Sequence, residues 1–473
     1  MQKNIRLKNL WNSKEINAAL NLSDSAAWMA SGVSIDSRKI AKGDIFIAIV
    51  GPKFDGNQFT NNALEKGAAA AIVNYIPRNL RRKRPILIVK NTSLALKKIG
   101  EAARKRTRAK IITITGSVGK TTTKELLREI LEKEGSTTAT IGNLNNQLGL
   151  PLSLSRMPKK SDFGIFELGM NKPGEISSLT KITKPDIAII TNIEKAHLKF
   201  FKNLRGIALE KSEIFNGMEG GIGILNRDSK FYGLLKKEAI KNKIQRIVTF
   251  GEHKSSDVRL RRYTLKSQSS ECVTTVGKKK ITYDLRSTGK HWIINSLIIL
   301  ATALALKLNP ENIAKRLEKT KPITGRGKKY NIKLKNLNFT LLDDSYNACP
   351  ASMKAGIQVL DNMKPKANGR CIAILGDMLE LGEESNEMHL NLRNNLIGSN
   401  IDLVFTSGKY MKNLYKVLPK EMRGVHNNNP QELAKILAPK IRKNDIIFVK
   451  GSNGTKMFKI VETLKSIKIK DKK

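Results

Sequence analysis

Cysteine is scarce in this 473-residue chain: Cys272, Cys349 and Cys371 stand far apart, with no metal spacing and no even-numbered framework. That excludes a disulfide-stapled secreted scaffold and suits a reducing compartment. Long apolar runs are also missing. The most apolar stretch, Trp292 to Leu306, is too short to span a bilayer and contains Asn295, Ser296 and Thr302. The amino terminus has neither the apolar core nor the cleavage site of a signal peptide, so a cytoplasmic protein without membrane insertion is expected. Acidic residues are few, 41 against 86 Lys and Arg, which leaves a formal charge of +45. Such a charge attracts any polyanion and selects none. Its clusters, Arg81-Arg82-Lys83-Arg84, Arg104-Lys105-Arg106 and the tail from Lys465, are short, scattered and free of the interleaved aromatics that single-strand stacking requires. No nucleic-acid partner is expected from them.

What is present is a folded composition, 40% hydrophobic and 27% charged, on a chain too long for one core. The pattern predicts an α/β protein of three domains. Residues 1–106 read as a small α/β domain, with apolar runs at Ile45 to Ile49 and Ala69 to Val73 and helices at Phe59 to Lys66 and Leu94 to Arg104. Residues 107–322 alternate strand and helix from Ile111 to Phe250, the signature of a parallel sheet covered on both faces. Shorter strands follow up to Leu285, and helices from His291 and Pro310 close that domain. Lys321-Pro322 and Gly325-Arg326-Gly327 mark the next boundary, after which residues 323–473 resume the alternation as a smaller, Rossmann-like sheet.

One motif carries chemistry by itself. In Ile114-Thr115-Gly116-Ser117-Val118-Gly119-Lys120-Thr121-Thr122 a buried strand runs into a glycine-rich turn and then a helix, the context of a phosphate loop. Its backbone N–H groups converge on phosphates, Lys120 reaches the outer ones, Thr121 offers a hydroxyl to Mg²⁺, and the helix start adds partial positive charge. ATP and Mg²⁺ are therefore the expected cofactors. Glu167 ends the strand Phe163 to Phe166 where the sheet would deliver a metal carboxylate, and His197 follows the strand Ile187 to Thr191 in the same way, as a metal ligand or proton-transfer group.

Several blocks resemble the Mur ligases, the ATP-dependent amide-forming enzymes of peptidoglycan precursor synthesis. They are Ile35-Asp36-Ser37-Arg38, GPKFDG from Gly51, TGSVGKTTTKE from Thr115, GNLNNQLGLPLSL from Gly142, FELGMNKPGEI from Phe166, DDSYNACP from Asp343 and LGDMLELGEES from Leu375. The last two are the most specific, and they resemble the member that adds a dipeptide. The resemblance implies the substrates UDP-N-acetylmuramoyl-tripeptide and D-alanyl-D-alanine, an acyl-phosphate intermediate, and a monomer. It implies Lys120, His197 and Lys211 as catalytic groups, with Thr121, Glu167, His197 and a carbamylated Lys211 around the metals. It also implies muramoyl-peptide contacts from Ser37, Arg38, Asn145 and Asn146, adenosine contacts from Asn295, Arg326 and Asp344, and a dipeptide side shaped by Tyr346 and Asn347. The sequence departs from the family pattern at Glu194 and Lys195, at Asn453, where an arginine is usual, and at Cys349. Two rival readings remain open on sequence alone: a nucleic-acid-dependent ATPase, and a non-catalytic relative that binds ATP without forming an amide.

Overall fold

A computed structural model describes residues 9–78, 80, 84–195, 200–201, 203–266, 269–334 and 337–467. Its centre is a nine-stranded sheet, in the order 279–285, 270–276, 258–265, 246–251, 222–226, 187–190, 110–115, 163–167, 137–139. Seven strands, from 137–139 across to 258–265, run parallel; helical crossovers link all of them but the last pair, 246–251 and 258–265, which a short loop joins. The short strands after Gly251 do not form a separate layer. Strands 270–276 and 279–285 extend the sheet antiparallel from 258–265, because tight connections return the chain directly. The central sheet is thus mixed rather than wholly parallel.

Alternation along Lys110–Thr115 decides what each face buries. Ile111 points into a core shared with the helices Thr92–Lys105, Gly149–Ser155, Glu175–Thr183 and Leu204–Ser212, while Ile112 and Ile114 point into a second core under the helices Lys120–Leu131 and Lys290–Ala305. All three isoleucines are fully buried. Truncating one to alanine would cost about 2–5 kcal/mol.

A four-stranded parallel sheet lies near the amino terminus, in the order 32–34, 44–47, 70–73, 86–88. It is not insulated from the centre. Residues from Leu10 to Ile244 form one continuous apolar cluster. Trp11 Nε1 donates to the Ser155 carbonyl at 2.8 Å, and Arg156 Nε donates to the Val33 carbonyl at 2.7 Å. Gly100 lets the helix Thr92–Lys105 approach Pro151 so closely that a Cβ there would stand 3.0 Å from its Cα.

The third sheet has six strands, in the order 328–333, 338–344, 446–450, 371–376, 403–407, 423–426. Only its edge strand Lys328–Lys333 is antiparallel. Two apolar clusters cover its faces.

Candidate functional site

Register brings the functional residues to one edge of the central sheet. Ile114 pairs with Glu167 and Thr115 with Ile190, so the glycine-rich turn, Glu167 and Thr191-Asn192 all leave the sheet at the carboxyl ends of adjacent strands. The turn needs its glycines. Gly116 has φ +147° and a Cβ there would overlap the Thr191 hydroxyl; Gly119 has φ +87° and begins the helix Lys120–Leu131. Neighbouring groups hold the loop open. Asn192 Oδ1 accepts from Val118 N–H at 2.9 Å, Thr191 Oγ1 donates to the Val118 carbonyl at 2.6 Å, and Ser117 Oγ donates to the Glu194 carbonyl at 3.0 Å.

Lys120 folds back over this loop and donates to the Gly116 carbonyl at 2.7 Å. Burial lowers its pKa below the usual lysine value and the Glu167 carboxylate opposes that shift. The Thr121 hydroxyl donates to Glu167 Oε2 at 2.8 Å. The other carboxylate oxygen of Glu167 accepts from Asn145 Nδ2 at 2.9 Å. Glu167 is only 3% exposed. A hydroxyl and a buried carboxylate converging beside a phosphate loop fit Mg²⁺, which takes oxygen ligands, keeps several waters and needs only one or two carboxylates alongside phosphate oxygens. That explains why no cluster of three acidic, histidine or cysteine ligands occurs among the described residues.

Lys211 lies on the helix Leu204–Ser212, across the central sheet from the phosphate-loop helix, and is 1% exposed. Its amine lies 3.7 Å from the Met170 sulfur, and its chain neighbour Glu210 directs its carboxylate to the N–H groups of Gly174 and Ile176 instead. Burial, reinforced by the charge of Lys120, holds the Lys211 amine well below the ordinary lysine range. A neutral buried amine is a competent nucleophile toward carbon dioxide, and the resulting carbamate is an anionic oxygen ligand.

The third sheet supplies residues distant in sequence. Arg326 Nη2 donates to Thr121 Oγ1 at 2.9 Å, with its guanidinium stacked 4.4 Å from the Tyr346 ring centroid. Asp343 fixes that arginine's turn: Oδ2 accepts from Gly325 N–H at 2.9 Å and Oδ1 from the Ser345 hydroxyl at 2.6 Å. Asp344 pairs with buried Lys450 at 2.6 Å. Asn295 is buried beside Gly119.

The expected residues therefore separate into groups. Gly116 to Thr122, Glu167, Asn145, Arg326 and Tyr346 meet directly, with Lys211 in electrostatic reach of Lys120 and Asn295 against the loop. Asn146 is spent locally, its Oδ1 accepting from Gly149 N–H at 2.8 Å. Arg38 pairs with Asp36 at 2.9 Å in the first sheet's loop, and Ser37 is buried beside it. Asn347 is exposed and accepts from Ala348 N–H. His197 lies outside the described residues. Of the departures, Lys195 forms an ion pair with Glu384 at 2.8 Å, beside a cavity of about 360 Å³ between elements of the central and third sheets. Cys349 caps the helix Pro350–Asp361, and Asn453 is exposed.

Thr191, Asn192, Asp343 and Lys450 were not singled out from sequence. Thr191, Asn192 and Lys450 work through partners 73 to 106 residues away, and Asp343 through Gly325 and Ser345 on either side of a strand, so no local spacing announces them.

A phosphate loop at the end of a parallel strand, met by an arginine from another α/β sheet, is the arrangement of an enzyme that uses a nucleoside triphosphate. Residues 30–110 match the Mur ligase family catalytic domain, 114–303 the Mur ligase middle domain and 331–453 the Mur ligase glutamate ligase domain. The chain belongs to the Mur ligase family. It is 35% identical to the UDP-N-acetylmuramoyl-tripeptide–D-alanyl-D-alanine ligase of Rickettsia prowazekii, over 96% of this chain and 99% of that one. Its fold is similar to that of MurF from Acinetobacter baumannii, with a TM-score of 0.83, 30% identity, and coverage of 97% of this chain and 99% of that one. It is also similar to MurF ligase from Thermotoga maritima in complex with ADP, with a TM-score of 0.75, 27% identity, and coverage of 92% and 97%.

Proposed function

We propose that this protein joins D-alanyl-D-alanine to UDP-N-acetylmuramoyl-tripeptide at the expense of ATP. The observation that carries the reading is the junction at Thr121, where the phosphate loop, the Glu167 carboxylate and Arg326 from another sheet converge. A carboxylate cannot expel oxide, so it must first be given a leaving group. Its oxygen attacks the γ-phosphorus, the bond to ADP breaks, and an acyl phosphate forms. The dipeptide amine then attacks the acyl carbon, loses a proton, and inorganic phosphate departs.

The residues supply positioning and charge, the main requirements of phosphoryl transfer. The loop N–H groups and Lys120 hold the β- and γ-phosphates, and Arg326, which the resemblance gave to the adenosine, is read instead as closing over the transferring group because its guanidinium stands at Thr121. Mg²⁺, bound through Thr121, Glu167 and carbamylated Lys211 with His197, would neutralise the developing phosphate charge. Asn145 fixes the carboxylate of Glu167. Asn295 and Asp344 face the adenosine, Ser37 and Arg38 the muramoyl-peptide, and Tyr346 and Asn347 the dipeptide. The same reading assigns residues 1–106 to the UDP end, 107–322 to ATP and 323–473 to closure, in a cytoplasmic monomer. No described helix is long and apolar enough to cross a membrane, and the three cysteines are free and buried.

The test is to incubate the protein with ATP, Mg²⁺, the tripeptide nucleotide and D-alanyl-D-alanine and to weigh the product. The pentapeptide nucleotide is expected. ATP hydrolysis stimulated by nucleic acid with no pentapeptide would overturn the proposal.

A further inference from the structure

Lys124 is 0% exposed, one turn beyond Lys120 on the phosphate-loop helix, and no role in binding or chemistry falls to it directly. Its ammonium is fully engaged: Nζ donates to the Thr140 carbonyl at 2.6 Å and to the Gly142 carbonyl at 3.4 Å, and pairs with Glu125 Oε1 at 2.7 Å. Three donors meet three acceptors. A lysine that merely filled space would be replaced without loss by an apolar chain, since desolvating an ammonium is costly. This one holds two backbone carbonyls of a segment with no helix or strand of its own between Ala139 and Gly149.

That segment leads to Glu167 by two routes. The Thr140 hydroxyl accepts from the Glu167 N–H at 3.2 Å, and Asn145 Nδ2 donates to Glu167 Oε1 at 2.9 Å. Asn145 is in turn fixed by its carbonyl, which accepts from Gly169 N–H at 2.8 Å. The carboxylate facing Thr121 is thereby positioned from the same helix that carries Thr121, through a loop anchored on a buried charge. We infer that Lys124 is a positioning residue for the metal site: it clamps residues 140–142 so that Asn145 and Thr140 present Glu167 to the cation. The inference rests on the proposed assignment of Thr121 and Glu167 to Mg²⁺, and groups that orient a metal ligand typically change metal affinity by about 10- to 100-fold when removed.

The probe is Mn²⁺ binding in the presence of ADP, followed by electron paramagnetic resonance on the full chain, with ADP binding in chelator measured in parallel. K124M/E125Q removes both charges together and leaves Arg128, the other partner of Glu125, paired with Glu132. It is expected to bind Mn²⁺ about tenfold more weakly while ADP alone binds within threefold of the parent. E125Q, which keeps the lysine on its carbonyls, is expected to bind Mn²⁺ like the parent. Mn²⁺ affinity within threefold in K124M/E125Q, or an equal loss in E125Q, overturns the inference, as does a parallel loss of metal-free ADP binding. If the double variant does not fold, T140V, which removes the hydroxyl link and leaves both charges paired, is read against the same threefold threshold. Because no muramoyl substrate is used, failure of the ligase reading and failure of this inference are separable.

Discussion

The guanidinium of Arg326 stands 2.9 Å from the hydroxyl of Thr121, 205 positions earlier in the chain. One residue follows the boundary into the third sheet, and the other is the second residue of the phosphate-loop helix. Their contact means that the site is complete only when two separately built sheets come together.

Arg326→Ala should lower the rate of amide formation by about 10²-fold or more, since it removes a charge aimed at the transferring phosphoryl group. Arg326→Lys should recover only part, because an ammonium lacks the planar fork that reaches both Thr121 and the Tyr346 face. Steady-state turnover of the two variants at saturating ATP decides this; equal activity in Arg326→Lys and the parent would remove the fork from the explanation.

Lys211→Ala should lose about 10²-fold in activity and regain part of it with millimolar formate or acetate, which would occupy the space of a carbamate. Buffers stripped of bicarbonate should slow the parent and leave the variant unaffected. A variant indifferent to both additions would show that Lys211 acts as an amine or only as core.

Stability should fall in mild acid through His389. Its Nε2 accepts from Met378 N–H at 2.8 Å, so its proton sits on Nδ1 and points to the Ser385 carbonyl. Burial lowers its pKa from the ordinary histidine value, with the Ser385 hydrogen bond and Asp377 opposing. Below that ordinary value of about 6.5 the unfolded chain binds the proton and the folded chain resists it, so stability decreases as pH falls toward the depressed pKa. Urea midpoints measured between pH 7.5 and 5 should decline in the parent and decline less in His389→Gln.

Lys195 and Glu384 bridge the central and third sheets' elements, yet both side chains are about half exposed, at 48% and 50%. A double-mutant cycle on unfolding should assign the pair at most about 1 kcal/mol, and less in high salt. A larger coupling would make this departure from the family pattern a genuine clasp.

Much of the architecture was legible because it is periodic. The phosphate loop declared itself through strand, glycines and helix, and Glu167 through its place at a strand end. What escaped reading has physical reasons. The edge strand Lys328–Lys333, half lysine, offers only Tyr330 and Ile332 to the core, too few apolar residues to announce a period. The strand Thr137–Ala139 is three residues long, too short to carry a period. Asn145 and Asn146 looked equivalent as neighbours in a polar loop; the fold gives the first to Glu167 and the second to its own turn. Asp343 was overlooked because its work is to hold Gly325 and Ser345, which requires knowing how the strand Asn338–Asp344 meets the preceding turn.

The apolar cluster running from Leu10 to Ile244 has a consequence for what this enzyme can measure. With Trp11 bonded to Ser155 and Arg156 to Val33, the amino-terminal sheet and the phosphate loop behave as the two jaws of a caliper whose screw is locked. On the proposed assignment of residues 1–106 to the nucleotide end, such a gap would admit only a peptide whose length brings its far carboxylate to the loop, so tripeptide analogues one residue shorter or longer are expected to give little product in the same mass assay.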